Sequence, residues 1–184
     1  VAHFREQLKP RRHNSHKGTY GDAVVLGGAP GMLGAAVLAA RTAAKLGAGR
    51  VYLATLDPDF ALDMQQPEIM CRSAEELTLK HHALIVGPGL GTTRAAQTIV
   101  AKALQANSPL VLDADALNLL ALEPSLQKKL CVRRQTTILT PHPLEAARLL
   151  GCDTTTIQAD RVAAARALAS RLYATVILKG SGSI

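Results

Sequence analysis

Short apolar runs alternate with longer segments of helical periodicity along most of the chain. The runs cover residues 23–26, 50–55, 83–86, 110–112, 136–139 and 175–178. Runs of this length, rich in Val, Ile and Leu and bounded by Gly, Pro or Asp, are typical of strands buried on both faces of a sheet. The alternation predicts an α/β fold in which a parallel or mostly parallel sheet carries helices on both faces.

The segments between the runs predict the helices. They cover residues 33–46, 93–106, 143–150 and 160–172, with a further short helix after residue 115. Gly47 and Gly49 end the first of them, as glycine commonly does at helix C-termini. Ser73, followed three residues later by Glu76, forms a capping-box pattern and predicts another short helix there. Residues 57–72 predict no regular element.

No repeat, linker or low-complexity segment divides the chain, and 184 residues fit one domain. We therefore predict a single domain over residues 1–184, with an N-terminal arm or linker at residues 1–15. Residues 23–40 carry no charge, which is long enough for a membrane helix to be considered. Glycine and proline divide that stretch into strand, loop and helix, so we predict neither a membrane span nor a signal peptide.

Glycine-rich loops follow two of the predicted strands. The segment 27–34 contains four glycines and leads into the alanine-rich helix, and the segment 87–91 contains three. Such loops let backbone N–H groups approach a ligand closely, and a helix N-terminus suits an anion. Neither loop has the Rossmann or Walker spacing. Tight structural turns remain the alternative interpretation of both.

Residues 138–151 form the stretch around which we organise the functional interpretation. An apolar strand ends at Thr140, two prolines flank His142, and a helix begins with Glu145 in its first turn, where a carboxylate suits the helix dipole. Arg148 shares a helix face with Glu145. Because ligand crevices lie where strands end and helices begin, these three side chains are predicted to meet a small molecule. The alternative is a rigid corner with a surface Glu–Arg pair.

Carboxylates and a lysine follow two further strands. Asp113 and Asp115 flank one alanine, and carboxylates there could hold Mg²⁺ or act as a base. Asp115 could instead cap a helix, so Asp113 is the better functional candidate. Lys179 begins a loop of glycine and serine at residues 180–183, which favours phosphate binding. A solvated lysine before a surface loop is the alternative.

Charge and composition limit the classes of partner. The 21 basic and 14 acidic residues give a net charge of +7, which would suit nucleic acid or a phosphorylated small molecule. With only two Phe and three Tyr to stack on bases, we predict no nucleic-acid binding. The three cysteines have no metal-site spacing and indicate a reducing, cytoplasmic environment.

The order of these motifs is more specific than any one of them. The series is His16-Lys17-Gly18-x-x-Gly21, Gly27-Gly28, Gly34-Ala35-Ala36, Gly47-Ala48-Gly49, Pro67-Glu68-x-Met70, Gly87-Pro88-Gly89-Leu90-Gly91, Asp113-Ala114-Asp115-Ala116-Leu117-Asn118, Leu139-Thr140-Pro141-His142-Pro143-x-Glu145 and Leu178-Lys179-Gly180. Over residues 14–184 it closely resembles the ADP-dependent NAD(P)H-hydrate dehydratase family of the ribokinase-like superfamily. In many bacteria that domain is the C-terminal half of a bifunctional nicotinamide-nucleotide repair protein.

The resemblance implies a three-layer ribokinase-like fold and a repair lyase. The expected reaction returns (S)-NADHX or NADPHX to NADH or NADPH, with ADP, or ATP in some relatives, as co-substrate and Mg²⁺ as cofactor. The ring hydroxyl would be phosphorylated and phosphate then eliminated, which releases phosphate and AMP. A homo-oligomer such as a tetramer, and a fused N-terminal epimerase domain, are the expected partners.

Matching positions to the family motifs, together with their place at strand ends, predicts two sets of binding residues. The predicted substrate positions are Gly28, Ala35, Ala36, Gly89, Gly91, His142, Glu145 and Arg148. The predicted nucleotide positions are Lys179, Gly180, Ser181, Gly182 and Ser183. Asp113 is the candidate metal ligand.

One segment of the family pattern is absent from the sequence. The family carries Gly-Gly-x-Gly-Asp after the lysine loop, with the Asp as expected base and the backbone N–H groups as anion hole. We therefore expect a C-terminally truncated piece of the enzyme, without the last helices and with apolar surface left exposed. No catalytic residue is assigned, because the expected Asp would lie beyond Ile184, and the chain alone is expected to be inactive or nearly so.

Two other functions remain open. One is a kinase of the same superfamily that phosphorylates a vitamin alcohol, and the other is a non-catalytic nucleotide-binding module. The corner at residues 140–143 and the loop at 87–91 favour the dehydratase. Product analysis separates the two enzymes, since a kinase accumulates phosphorylated substrate whereas the dehydratase releases phosphate.

Overall fold

The computed structural model describes residues 12–79 and 82–184, and the elements below are those of this part of the chain. The strands are Asp22–Leu26 (β1), Arg50–Thr55 (β2), Met70–Ser73 (β3), Ala83–Val86 (β4), Leu110–Leu112 (β5), Thr137–Leu139 (β6) and Thr175–Val176 (β7). The α-helices are Leu33–Lys45 (α1), Arg94–Gln105 (α2), Asp115–Leu122 (α3), Pro124–Cys131 (α4), Pro143–Leu150 (α5), Thr154–Ala159 (α6) and Arg161–Leu172 (α7). A 3-10 turn, Lys17–Tyr20, precedes β1. Of the predicted N-terminal arm, residues 1–11 lie outside the described residues.

The strands pair in parallel throughout the described chain and form one sheet. Their order is β3-β2-β1-β4-β5-β6-β7. The chain builds outward from β1 to β3 and then returns to place β4 on the other side of β1. At such a reversal the loops that leave the two central strands diverge and open a crevice beyond their carboxyl ends. The loops after β1 and β4 therefore flank the expected ligand crevice.

Two apolar layers hold the helices on the sheet. Val25 on β1 points to the layer shared with α1, whereas Val24 and Leu26 point to the layer shared with α2 to α7. Alternate residues of a strand face opposite sides of a sheet, so the continuous apolar run of β1 serves both layers. This three-layer arrangement confirms the predicted α/β fold class, with a sheet that is fully rather than mostly parallel.

The α1 side of the sheet is covered unevenly. Next to α1, Val25 and Leu53 are fully buried. On the same side of β5 and β6, Val111 and Ile138 are only half-buried, and Ile177, just after β7, is 40% exposed. Their neighbours in sequence point into the other layer, which carries six helices in the described chain. The last strands thus present the apolar surface that the sequence predicted for them.

Several local predictions were wrong. No helix follows Ser73, because its hydroxyl accepts the Glu75 N–H at 3.3 Å and the capping pattern closes a turn after β3 instead. The strand β3 itself was missed, since Met70–Ser73 lies at the sheet edge and buries Cys71 alone. The helix α6, which Asp153 caps, was also missed, and β7 is shorter than predicted.

The uncharged stretch 23–40 divides into β1, a glycine-rich loop and the first half of α1, as its glycines predicted. Within residues 12–79 and 82–184, no helix combines the length and the apolar character that a bilayer crossing requires.

A buried carboxylate fixes the loop that leads to β3. Asp63 is 4% exposed and accepts hydrogen bonds from the Arg41 guanidinium of α1 at 2.7 and 2.5 Å. The same carboxylate accepts the Gln65 N–H at 3.1 Å. The Arg41 bonds, with smaller help from backbone N–H groups, lower the pKa of Asp63 to about 2. The loop is therefore held to α1 by a charge-assisted bidentate pair.

This pair makes a prediction about acid stability. Because the pKa of Asp63 is lower in the folded than in the unfolded chain, its ionised form stabilises the fold at neutral pH. That contribution is lost as the pH falls from about 5 towards 2. We expect Asp63→Asn to lower the free energy of unfolding at pH ~7, and the gap to wild type to narrow at pH ~3.5.

Urea unfolding followed by circular dichroism at both pH values measures the gap. Asp59→Asn is the matched control, because Asp59 is exposed and its carboxylate forms no such pair with any side chain of residues 12–79 or 82–184. A gap for Asp63→Asn that is the same at both pH values would contradict the assignment.

Candidate active site

The glycine-rich loops after β1 and β4 are bonded to each other at the switch point. The Gly28 N–H donates to the Pro88 carbonyl at 3.0 Å. A Cβ on Gly27 would lie 2.2 Å from the same carbonyl oxygen, and a Cβ on Gly89 would lie 2.2 Å from the carbonyl oxygen of Met32. These glycines are therefore required by the contact between the loops, whether or not a ligand also uses them.

Other glycines of the same loops face open space. Nothing lies within 4 Å of a Cβ built on Gly31 or Gly34. The φ of +79° explains Gly31 as a turn residue, but Gly34 has a helical backbone and no steric reason to lack a side chain. The helix α1 also begins without a side-chain cap from Met32. The open surface over Gly34 is thus a place where a ligand can approach unprotected N–H groups.

The two predicted alanines of α1 differ in burial, because adjacent helix residues point in different directions. Ala35 is exposed on the outer surface. Ala36 is fully buried, and its methyl group lies 3.2 Å from a Cβ built on Gly27 and 3.3 Å from one built on Gly28. The side chain of Ala36 therefore supports the loop from below, and Ala35 is the one that a ligand can touch.

His142 folds back over the start of α5. Its Nδ1 accepts the N–H groups of Leu144 and Glu145 at 3.2 and 3.3 Å, and its Nε2 lies 3.2 Å from Glu145 Oε1. The other Glu145 oxygen accepts the backbone N–H of His142 at 2.8 Å, which completes a capping box. Acceptor bonds at Nδ1 leave the proton of the neutral imidazole on Nε2. The His142 side chain is 45% exposed and that of Glu145 only 3%, so Glu145 holds the ring while the ring faces the crevice.

The alternative interpretation of the sequence, a surface pair between Glu145 and Arg148, was wrong. The Arg148 guanidinium donates to Asn118 Oδ1 at 2.7 Å. The Asn118 amide in turn donates to Asp115 Oδ1 at 3.4 Å, and Asp115 Oδ2 accepts the Gly91 N–H at 2.8 Å. A polar chain therefore runs from α5 through α3 to the loop after β4.

Asp115 does not cap α3, so the alternative interpretation of this residue was wrong. The N-cap residue is Ala114, without a side-chain bond, and Asp115 is the first residue of the helix. Ala114 has φ 46° and ψ −118°, a conformation that strains an L-residue. The turn aims the two neighbouring carboxylates apart, with Asp115 at Gly91 and Asp113 at Lys179.

The lysine loop after β7 reaches the same edge. Lys179 Nζ lies 2.5 Å from Asp113 Oδ1, a contact between residues 66 apart in sequence. Arg161 of α7 holds the loop from the other side, because its guanidinium donates to the carbonyls of Ser181 at 3.0 Å and Leu178 at 3.2 Å. Residues 180–183 are exposed. The loop is anchored at its base and open at its tip, as phosphate binding requires.

The described side chains include few candidates for a metal site. Among residues 12–79 and 82–184, no group of three or more His, Cys, Asp or Glu side chains is placed to hold a metal ion. Asp113 is paired with Lys179. Mg²⁺ that accompanies a nucleotide needs only one or two protein carboxylates, and Asp113 fits that smaller requirement. Its role as a metal ligand stays a prediction.

Cavities open on both sides of the switch point. One of about 620 Å³ lies where β2 and β3 end and is lined in part by Asp57 and Arg72. Another of about 540 Å³ is lined in part by Thr92, Asn118 and Arg148. The first cavity was not predicted from the sequence, because residues 57–72 predict no regular element and β3 has no apolar run. The edge thus has room for a ligand larger than one nucleotide phosphate.

A model of the NAD(P)H-hydrate dehydratase family matches residues 23–184. The chain belongs to this family. The residues matched include every predicted site residue and all of β1 to β7 except Asp22, and the match confirms the resemblance found in the order of the motifs.

Known proteins of the family extend beyond this chain. The ADP-dependent (S)-NAD(P)H-hydrate dehydratase of Neisseria meningitidis serogroup B is 46% identical over 184 residues, which cover 96% of this chain and 62% of that protein. The bifunctional NAD(P)H-hydrate repair enzyme Nnr of Escherichia coli is 38% identical, over 96% of this chain and 34% of the enzyme. The chain therefore spans about three fifths of the first relative and one third of the second.

A solved structure of the same family has the same fold. The ADP/ATP-dependent NAD(P)H-hydrate dehydratase of Bacillus subtilis, co-crystallised with ATP and Mg²⁺, superimposes with a TM-score of 0.81 at 32% identity. The superposition covers 99% of this chain and 66% of that structure. This agreement confirms the ribokinase-like, three-layer fold class.

The strained turn gives a stability prediction. Glycine adopts the φ of Ala114 without a steric cost, so Ala114→Gly should raise the free energy of unfolding by about 1 kcal/mol. Ala167→Gly is the control, because Ala167 is exposed in the middle of α7 and glycine there costs about 1 kcal/mol. Urea unfolding measures both changes. Loss of stability in both variants would show that Ala114 is not strained.

The contact between the loops after β1 and β4 gives a second stability prediction. Gly89→Ala should destabilise the fold by about 3 kcal/mol, because its Cβ would meet a backbone oxygen and its φ is +61°. Gly34→Ala should instead stabilise it by about 0.5–1 kcal/mol, since the site is helical and open. Thermal unfolding of the two variants tests this contrast. Equal stability of Gly89→Ala and wild type would rule out the loop contact.

Proposed function

We propose that the crevice at the carboxyl ends of the strands binds hydrated NAD(P)H and an adenine nucleotide, as part of an ADP-dependent NAD(P)H-hydrate dehydratase. The names of the Neisseria and E. coli relatives support this activity. The observation that carries the proposal is the contact between Lys179 and Asp113. The contact brings the Lys179 loop, which is predicted to bind nucleotide, against the turn at residues 113–115. That turn is bonded to the loop after β4, which is predicted to bind substrate. Transfer between two bound ligands requires this proximity.

The substrate side of the proposed site is the surface over the two glycine-rich loops. The uncapped start of α1 suits the pyrophosphate of a dinucleotide, and the exposed face of the His142 ring is open to contact with substrate while its Nε2 lies against Glu145 Oε1. Gly28, Ala35, Gly89, Gly91 and His142 are the residues that we propose to contact substrate. We assign supporting roles to Ala36, Glu145 and Arg148, because their contacts hold those residues or their loops in place.

The nucleotide side is the loop from Lys179 to Ser183. Lys179 supplies a point charge for phosphate oxygens, and the exposed backbone of residues 180–183 supplies N–H donors. Mg²⁺ belongs to the same proposal, as the Bacillus dehydratase was co-crystallised with ATP and Mg²⁺. Asp113 would offer it a carboxylate oxygen, and the bound ion would neutralise phosphate charge.

The proposed chemistry joins these two sides. ADP phosphorylates the ring hydroxyl of the hydrate, and loss of phosphate with the neighbouring ring proton restores the dihydronicotinamide. The products are AMP, phosphate and NADH or NADPH. The part of the described chain at the crevice contributes binding and charge stabilisation, and no base is assigned within it.

We also propose that residues 1–184 form one domain of a cytoplasmic homo-oligomer. The three cysteines, each unpaired, support a reducing environment. The bifunctional relatives support an association with an epimerase domain.

Ligand stabilisation tests the proposal. ADP and hydrated NADH should each raise the unfolding temperature of the wild-type chain. Lys179→Met should weaken ADP binding about tenfold, because a charge-assisted bond to phosphate is lost. Lys128→Met, an exposed lysine of α4, is the matched control and should bind as wild type does.

Product analysis with the Neisseria dehydratase as positive control decides the class of reaction. Any turnover should give free phosphate and the near-ultraviolet absorbance of reduced nicotinamide. Accumulation of a phosphorylated substrate would point to the kinase instead. Absence of stabilisation by both ADP and hydrated NADH would overturn the proposed function.

A further inference from the structure

Lys179 and Asp113 form an ion pair that is open to the crevice. Their side chains are 38% and 31% exposed, and Nζ lies 2.5 Å from Oδ1. Within residues 12–79 and 82–184, neither charged group has another hydrogen-bond partner. An incoming anion can therefore reach the ammonium group, and it meets the carboxylate at the same place.

The backbone holds both residues without help from the pair. The Asp113 N–H donates to the Val86 carbonyl at 3.0 Å, and the Asp113 carbonyl accepts the Ala116 N–H at 3.1 Å. The Lys179 N–H donates to the Pro141 carbonyl at 2.8 Å. The two side chains thus meet because strand ends already fix their Cα atoms. An exposed pair of this kind adds little to the stability of the fold. Its importance for the crevice is that a negative carboxylate lies next to the ammonium group.

We propose that Asp113 is the resident counterion of Lys179 and that a nucleotide phosphate must displace it. This inference rests on the proposed function of residues 179–183 as the nucleotide loop. The Lys179 ammonium group has three donors, but a phosphate placed on it lies close to the Asp113 carboxylate, and like charges at that distance repel. Asp113 therefore lowers the affinity of the loop for phosphates, and it sets how tightly the nucleotide binds rather than acting as a catalytic residue.

Calorimetric titration of metal-free ADP at low ionic strength tests the proposal. Mg²⁺ is left out because Asp113 is also the candidate metal ligand. Asp113→Asn keeps the shape of the side chain and removes its charge, so ADP should bind about three- to fivefold more tightly than to wild type. Asp59→Asn makes the same change of net charge at an exposed position away from Lys179 and should leave the affinity within twofold of wild type, about the error of the comparison.

A second substitution separates the counterion from other effects. In the Lys179→Met background, Asp113→Asn should no longer give the same gain, because the gain depends on freeing the ammonium group. Unfolding temperatures of all variants show that each is folded. Unchanged or weaker ADP binding by Asp113→Asn, with ADP bound by wild type, would overturn the proposal and indicate that Asp113 holds Lys179 in its binding position.

Inorganic pyrophosphate distinguishes failure of this inference from failure of the proposed function. Suppose that wild type does not bind ADP, but that Asp113→Asn binds pyrophosphate more tightly than wild type does. The counterion role of Asp113 is then supported, and the assignment of residues 179–183 to nucleotide binding is wrong. If no variant binds either anion, both are overturned.

Discussion

The backbone contact between the loops after β1 and β4 is the constraint on which the rest of the site depends. The reversal of strand order separates these loops from their neighbours, and the Gly28–Pro88 bond joins them across the gap. The contact leaves no room for a Cβ on Gly27 or Gly89. Glycine here is first a requirement of packing. The proposed ligand-binding surface is the part that the joined loops leave open, which is the start of α1 around Gly34.

The turn at Ala114 attaches two further parts of the edge to this centre. It adopts a strained backbone, and such strain is retained where surrounding contacts over-determine it. Those contacts are the Asp115 bond to the Gly91 N–H and the backbone bonds of Asp113 to Val86 and Ala116, and the Asp113 side chain also meets Lys179. One turn therefore connects the loop after β4 with the loop after β7. At the end of β6, Glu145 fixes the ring of His142 through a capping box, so the exposed groups of the edge rest on buried or bonded neighbours.

Local signals made most of the fold predictable. Buried strands appear as apolar runs, and the helix at residue 143 has its prolines and its Glu145 in the order that a capped helix requires. The edge strand β3 had no such signal, because burial there is limited to Cys71. At Ser73 a real capping pattern was satisfied by a turn, since a short-range bond does not require that a helix follow.

The location of the site could be predicted from the sequence, but the contacts between its side chains could not. Strand ends and glycines indicated which loops meet, whereas the partners of Asp115 and Arg148 lie 24 and 30 residues away and leave no trace in local sequence. The resemblance supplied roles for positions such as Lys179, which spacing alone could only suggest. It did not distinguish residues that face the crevice from those that support it. Burial made that distinction for Ala36 and Glu145.

The most direct test of the account is a map of backbone amide shifts on titration with ADP and with hydrated NADH. We expect perturbations in residues 28–35, 87–91 and 113–115, at His142 and in residues 178–183, with the two ligands affecting opposite parts of that set. Shifts centred at the amino ends of the strands, around the Asp22–Arg50 ion pair, would contradict it.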